Sequence, residues 1–188
     1  MSYLRSIETD LPGHAEAEPC AHLRPLLFLD FEASSLSGES WPIEIGWAWI
    51  EDGIVRSGSQ VIAPRPSWPL SDWTDAAQQV HGIGIGEALA GTPAELVAGM
   101  TDRFASFDVL SDNPIWEQQW LDRLREGRPC IPVQPLRQAI ADRMEPHEAD
   151  WFRCALFRRT PAHRAGPDAA LLADCWLAAI RGDIVAAA

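Results

Sequence analysis

Residues 26–34, with the sequence LLFLDFEAS, form an apolar run interrupted by two acids. A short, almost continuously apolar run of this kind predicts a buried strand in the middle of a sheet. Asp30 and Glu32 are two residues apart, so both carboxylates should point to the same face of that strand. Adjacent buried carboxylates repel each other and lose hydration, and a divalent cation such as Mg²⁺ or Mn²⁺ relieves both effects. The alternative is a strand end at which both acids reach water.

The following segments predict more strands around this one. Residues 42–53 (PIEIGWAWIEDG) alternate large apolar side chains with Glu44, Gly46 and Ala48, and a turn separates them from a third apolar stretch at residues 54–64. The three strands are expected to form an antiparallel meander. Residues 107–112 (FDVLSD) predict a fourth strand, and residues 130–133 (CIPV) predict a short fifth strand.

Helical patterns lie between and after these strands. The second helix is expected to begin with Thr92 as its N-cap and Pro93 at its first position. Antiparallel strands followed by alternating helices and strands predict an α/β fold with helices packed on a mixed sheet. The predicted helices cover residues 71–83, 92–106, 113–126, 136–144 and 150–157, and a last helix opens with Gly166 and Pro167.

The chain of 188 residues is long enough for one domain with a substantial core. We interpret residues 1–24 as a loosely ordered leader and residues 25–188 as the single domain. No apolar run reaches the roughly 18 residues of a membrane helix, and no signal pattern opens the chain, so a cytoplasmic location is predicted. The cysteines are widely spaced without a C-x-x-C motif, which argues against a zinc site.

The charge of the chain is strongly acidic, with a net charge of -12, and all 15 basic residues are arginine. Such a balance argues against tight, salt-driven binding of long duplex DNA. Between Gln118 and Arg164, however, nine arginines outnumber six acids. This stretch is either a solvated helical face or a local patch that faces phosphate groups.

Further acids and one histidine stand where chain elements are expected to meet. Asp112 ends the fourth strand and Glu117 opens the next helix, so either could join the first two acids at one sheet edge. Asp168 lies in the first turn of the last helix, and His163 lies in the loop before it. Each residue also has an ordinary explanation, as a turn residue, as an acid favoured by the helix dipole, or as a surface histidine.

The combined pattern, over about residues 25–182, resembles the DEDDh family of 3′→5′ exonucleases, which includes the ribonuclease T group and replicase proofreading exonucleases. The motifs that carry the resemblance are LDFEAS, PIEIGW, VHGIG around His81, and HRAGPDAALLA from His163. The resemblance implies a ribonuclease H-like fold: a mixed five-stranded sheet, three antiparallel strands followed by parallel ones, with helices on both faces.

The chain departs from the family pattern at two places. The second motif expects an aspartate after an aromatic residue, and here Glu117 follows Trp116 in that frame, with Asp112 as the second choice for the third acid. The Thr-Gly that usually follows the first motif is also replaced, here by the run Ala33, Ser34, Ser35 and Leu36. Both departures concern how a terminal nucleotide and its metals would be held.

The resemblance implies a hydrolase that removes nucleoside 5′-monophosphates from the 3′ end of single-stranded or short nucleic acid. Two divalent ions, Mg²⁺ or Mn²⁺, would be held by four acids. Asp30 would bridge both ions, Glu32 and Asp168 would complete the first site, and Glu117 would orient the second. His163 would act as general base, because histidine side chains exchange protons near neutral pH. The substrate-binding residues implied are Ala33, Ser34, Leu36, His81 and Asn113.

Two other functions fit the same residues. Glu117 and the acidic net charge are compatible with a catalytically degenerate module that binds nucleic acid or a partner without turnover. A phosphodiesterase acting on dinucleotides would use the same site and differ only in substrate length. The choice between DNA and RNA stays open because it depends on contacts to the 2′-hydroxyl. The ribonuclease-type relatives also make a homodimer an expectation to test.

Overall fold

The computed structural model describes residues 23–183, so most of the predicted leader lies outside the described residues. None of the helices in this range is long and apolar enough to cross a membrane. The strands are β1 (Leu26–Ala33), β2 (Pro42–Glu51), β3 (Ile54–Ala63), β4 (Thr92–Pro93), β5 (Asp108–Ser111) and β6 (Val133–Pro135). The α-helices are α1 (Asp75–His81), α2 (Ile85–Leu89), α3 (Ala94–Met100), α4 (Pro114–Leu124), α5 (Leu136–Arg143), α6 (Pro146–Phe157) and α7 (Ala165–Arg181).

The strands form one mixed sheet in the order β4-β3-β2-β1-β5-β6. β1, β2 and β3 pair as the expected antiparallel meander. β5 runs parallel to β1, and β6 runs parallel to β5. The mixed α/β fold predicted from the sequence is confirmed, with β1 near the centre of the sheet and one more strand than the five expected.

The additional strand, β4, corrects the prediction for the start of the following helix. Thr92 and Pro93 pair in parallel with Ile62 and Ala63 on β3, and α3 begins only at Ala94. Pro93 has no N–H to donate, which an edge strand tolerates. The backbones approach closely because Gly91 has no side chain: a Cβ there would lie 2.8 Å from the Val61 carbonyl oxygen.

Alternating side chains of β1 supply two separate cores, one on each face of the sheet. Leu27, Leu29 and Phe31 pack into the core beneath α3 and α4, whereas Phe28 packs against α6 and α7. The expectation of helices on both faces is therefore confirmed. Asp30 and Glu32 share the face of Phe28, so they point toward the side that α7 covers.

The start of α7 is pressed directly against β2. A Cβ added to Gly46 would lie 2.0 Å from the carbonyl carbon and oxygen of Ala165, and 2.3 Å from the nitrogen of Gly166. Gly46 pairs with Asp30 across the sheet. A glycine at this position of β2 therefore lets the first turn of α7, which carries Asp168, settle beside Asp30.

We expect Gly46→Ala to lower the free energy of unfolding by about 3 kcal/mol, because the methyl group meets backbone atoms that no rotamer change can move away. Urea denaturation measures the effect. Gly86→Ala is the matched control, because a Cβ at Gly86 meets nothing within 4 Å and the residue lies inside α2. A Gly46→Ala protein as stable as the control would show that α7 does not pack this closely.

Candidate active site

Three of the predicted acids meet at one point. Asp30, Glu32 and Asp168 each offer a carboxylate oxygen, and these oxygens all lie within 4.8 Å of one another. The first two come from the second half of β1, and the third comes from the first turn of α7. This is an arrangement of hard oxygen donors at a spacing that one divalent cation can bridge.

The Asp168 carboxylate also holds the loop that precedes α7. Its two oxygens accept hydrogen bonds from the backbone N–H groups of Ala162, at 2.8 Å, and His163, at 2.9 Å. The His163 backbone has φ of 54°, in the left-handed region that few non-glycine residues adopt. The loop is therefore wrapped around a carboxylate of the acidic cluster, and the His163 side chain lines the same cavity of about 290 Å³.

Both candidates for the third acid of the motif reach this cavity. Glu117, in the first turn of α4, is only 3% exposed and accepts a hydrogen bond from the backbone of Phe31. Its Oε2 atom is buried and has no hydrogen-bond partner within residues 23–183. Asp112 lines the cavity too, but backbone N–H groups of its own residue and of Asn113 already bond to its carboxylate. Of these two acids, Glu117 is therefore the one with a carboxylate oxygen that lacks a partner in the described part of the chain.

Crowding of these acids disfavours their ionised forms. Burial, followed by repulsion from neighbouring carboxylates, raises the pKa of Asp30 and of Glu117 well above their usual ranges. The same causes raise the pKa of Glu32 to about 7, and burial raises the pKa of Asp112. A buried cluster of negative charge of this kind is suited to a multivalent cation. These acidic side chains are thus suited to bind a divalent metal ion.

The raised pKa values predict how the metal-free protein responds to pH. The folded protein binds the Glu32 proton with a pKa of about 7, against 4.5 for the ordinary group. The contribution of the Glu32 carboxyl to the free energy of unfolding is therefore fully present at acid pH. It is lost as the pH rises from about 4.5 through 7. We expect the free energy of unfolding to fall by up to about 1 kcal/mol per pH unit in this window.

Chemical denaturation in a chelating buffer, repeated between pH 5 and pH 8, measures this slope. Glu117→Gln should make the slope shallower because it removes one repelling carboxyl. Added Mn²⁺ should raise the melting temperature more at pH 8, where the carboxyls are ionised, than at pH 5. A flat profile without metal would contradict the expected repulsion.

A second cavity, of about 400 Å³, adjoins the acidic one and shares Phe31, Glu32 and Trp120 with it. Of the predicted substrate-binding residues, the structure brings Ala33, Leu36 and His81 to this cavity, and it brings Asn113 to the acidic cavity.

Ser34 does not line either cavity. It is fully buried, its N–H donates to the Trp41 carbonyl, and its hydroxyl donates to Asp72. The N–H and the hydroxyl of Ser34 therefore bond within the protein, and its contact with substrate stays a prediction.

Asp72 is a residue that the sequence analysis missed. Its carboxylate accepts hydrogen bonds from the hydroxyls of Ser34, Ser35 and Ser37 at 2.5 to 2.8 Å. Although partial burial opposes ionisation, these hydrogen bonds lower the pKa of Asp72. The serines that replace the usual Thr-Gly thus bind the loop after β1 to Asp72, and Leu36 stands exposed on that loop.

A second missed feature is the ion pair of the buried Glu44 with the partly exposed Arg164, the residue after His163. Both oxygens of Glu44 accept from the Arg164 guanidinium, at 2.9 and 3.0 Å, and Oε2 also accepts from the Ala165 N–H. Glu44 was read only as a polar residue alternating with apolar ones on β2. The small residues on its side of the strand, Gly46 and Ala48, were the available signal that a helix covers this face.

Sequence comparisons find no match among protein-family profiles and none among curated proteins. Solved structures do match. Escherichia coli exonuclease I, in a zinc-bound complex with single-stranded DNA, is 15% identical with a TM-score of 0.59, covering 86% of this chain and 41% of that chain. Cell-death related nuclease 4 (CRN-4) is 15% identical with a TM-score of 0.60, covering 85% and 64%. The present chain thus spans less than two thirds of both proteins.

A third solved structure matches over more of its length. It is a 3′-exonuclease described in 3′-end-specific recognition of a histone mRNA stem-loop, and it is 10% identical with a TM-score of 0.62. The match covers 85% of this chain and 83% of that chain. The fold that the motifs predicted is confirmed by these likenesses: the chain has the ribonuclease H-like fold found in DEDDh-type 3′→5′ exonucleases.

Proposed function

We propose that this protein is a metal-dependent 3′→5′ exonuclease that acts on single-stranded or short nucleic acid. The observation that carries the proposal is the convergence of Asp30, Glu32 and Asp168 beside His163, on a fold shared with exonucleases. The products would be nucleoside 5′-monophosphates. The cytoplasmic location and the homodimer stay predictions from the sequence.

The metal would be two ions of Mg²⁺ or Mn²⁺, held by the three clustered carboxylates together with Glu117. The donors are all oxygens, and the buried Oε2 of Glu117 lacks a partner within the described part of the chain, which supports its use as a ligand. When bound, such ions polarise the phosphoryl oxygens and make a water molecule acidic enough to attack at neutral pH.

The residues of the chain then have distinct tasks. Asp30 would hold metal together with Glu32 and Asp168, whose charges act on it, and together with Glu117, on which its own charge acts. Asp168 additionally orients His163 through the two backbone hydrogen bonds to its loop. The His163 imidazole would take the proton of the attacking water at a ring nitrogen.

The adjoining apolar cavity would hold the terminal nucleotide. The His81 Nδ1 atom accepts the N–H of Ile83 at 3.0 Å, and burial lowers the pKa of His81, so the neutral ring carries its proton on Nε2. That Nε2 is buried and has no partner within residues 23–183. It is therefore a donor available to a bound nucleotide, and Leu36 would pack against the base.

A panel of 5′-labelled single-stranded DNA and RNA oligonucleotides, incubated with Mg²⁺ or Mn²⁺ and resolved by length, tests the proposal. The expected result is a ladder of 5′-labelled products that shortens from the 3′ end by one nucleotide at a time. Binding without shortening would instead support the degenerate binding module. Cleavage restricted to dinucleotides would support the small-substrate phosphodiesterase.

A further inference from the structure

Three highly exposed apolar side chains belong to segments that line the two cavities. Phe157 is 91% exposed, Ile115 80% and Leu36 72%, and Phe157 has the highest value among the large apolar residues in the range 23–183. Leu36 lines the second cavity, Ile115 lies two residues before Glu117, and Phe157 follows Leu156, which lines the acidic cavity. Single exposed apolar residues are ordinary, but an exposed aromatic ring that directly follows a residue of the acidic cavity is placed where a ligand with apolar faces could contact it.

The two cavities define the direction in which a bound strand continues. Leu156 and Pro161 line the acidic cavity but do not line the second cavity. A strand with its terminal nucleotide in the second cavity has its last phosphodiester at the carboxylates. Its next nucleotide is then directed toward Leu156 and Pro161. Phe157, at the end of α6, is the exposed aromatic side chain on this side.

Charge favours the same path. Residues 150–164 contain four arginines and one aspartate, in a chain whose net charge is -12. Arg159 pairs with Asp174 at 3.5 Å and Arg153 pairs with Asp150, yet 37% and 62% of their side chains, respectively, stay exposed. Arg164 is held by Glu44, so it is the exposed parts of Arg153 and Arg159 that the phosphates of a strand leaving on this side would meet.

We propose that Phe157 stacks on the base of the second nucleotide from the 3′ end. The inference rests on the proposed function and adds a specific substrate contact to it: the protein recognises a single strand by at least two bases, one in the cavity and one on Phe157. Aromatic side chains with neighbouring arginines bind single strands in this way, because every base offers a flat face for stacking.

Phe157→Ala tests the contact directly. For a single strand of about 12 nucleotides, we expect KM to rise about 10-fold with kcat unchanged, and Phe157→Trp to stay within about twofold of wild type. Inhibition by a nucleoside 5′-monophosphate, which ends at the phosphate, should be unchanged. Leu96→Ala is the matched control, since Leu96 is 63% exposed on α3 and lines neither cavity.

A strand with an abasic site at the second nucleotide from the 3′ end lacks the base on which Phe157 would stack. It should raise KM about 10-fold in wild type and cause no further rise in Phe157→Ala. The inference would be overturned if wild type and Phe157→Ala had equal KM values for the intact strand. It would also be overturned if the abasic site raised KM by the same factor in both proteins. Wild-type protein that hydrolyses no strand would overturn the proposed function, a result that does not depend on Phe157.

Discussion

Asp30→Asn is expected to reduce the rate of 3′-end hydrolysis on the order of a thousandfold. Asp30 belongs to the cluster of three acids, and the cations it would hold contribute several kcal/mol to stabilising the transition state. The same substitution removes one charge from a crowded, buried set of carboxyls, whose repulsion and burial raise the pKa of Asp30. The metal-free variant should therefore be more stable than wild type at pH 8 even though it is inactive.

Initial rates with Mn²⁺ and denaturation without metal measure these two effects on the same samples. Asp142→Asn is the matched control, because Asp142 is exposed on α5 and lines neither cavity. If Asp30→Asn kept more than about a tenth of the wild-type activity, Asp30 would not be part of the active site. Loss of stability at pH 8 would contradict the repulsion between the carboxyls.

His163→Asn is expected to lower kcat by about 10² to 10⁴, the usual contribution of a general base. Asparagine is the better replacement than alanine because it tolerates the left-handed backbone that His163 adopts. The bonds from backbone N–H groups to Asp168 should therefore persist, and with them the metal-binding carboxylates. Rates of hydrolysis and the Mn²⁺-induced rise in melting temperature separate the catalytic effect from the effect on metal binding.

Added imidazole should partly restore the rate of a His163→Gly variant, because the small base can occupy the vacated space. His147→Asn serves as the control on α6, since His147 is exposed and packs on Trp151. An unchanged kcat in His163→Asn would show that another group accepts the proton. A lost Mn²⁺ response would indicate that the loop, and not the base, had been disrupted.

Several elements were predictable because their causes are local. The apolar run around Asp30 and Glu32 predicts a buried strand, and alternation alone places both acids on one face. The meander of β1, β2 and β3 follows from apolar patterning and a turn. The extra strand β4 was not predictable, because a two-residue strand forms only where Gly91 permits approach to β3. No local propensity encodes that approach.

The pairing of Glu44 with Arg164 was missed for a similar reason. A glutamate between two isoleucines on a strand normally points to solvent, and the sequence alone did not show that α7 covers this face. The structure buries Glu44 and gives it a guanidinium from 120 residues later in the chain. The burial of Ser34 and its bond to Asp72 were not predictable for the same reason, because they depend on a segment nearly 40 residues away.

The amino-acid sequence by itself determined the strands of the meander, the common face of Asp30 and Glu32, and the motif that opens α7, because each depends on neighbours along the chain. Tertiary structure alone decided which acids meet, since that depends on the close contact of Ala165 with Gly46 and on the register that pairs Gly46 with Asp30. That packing brings distant segments within a few ångströms. It accounts for the repulsion among the acids, for the Glu117 oxygen that has no partner within residues 23–183, and for the exposed position of Phe157.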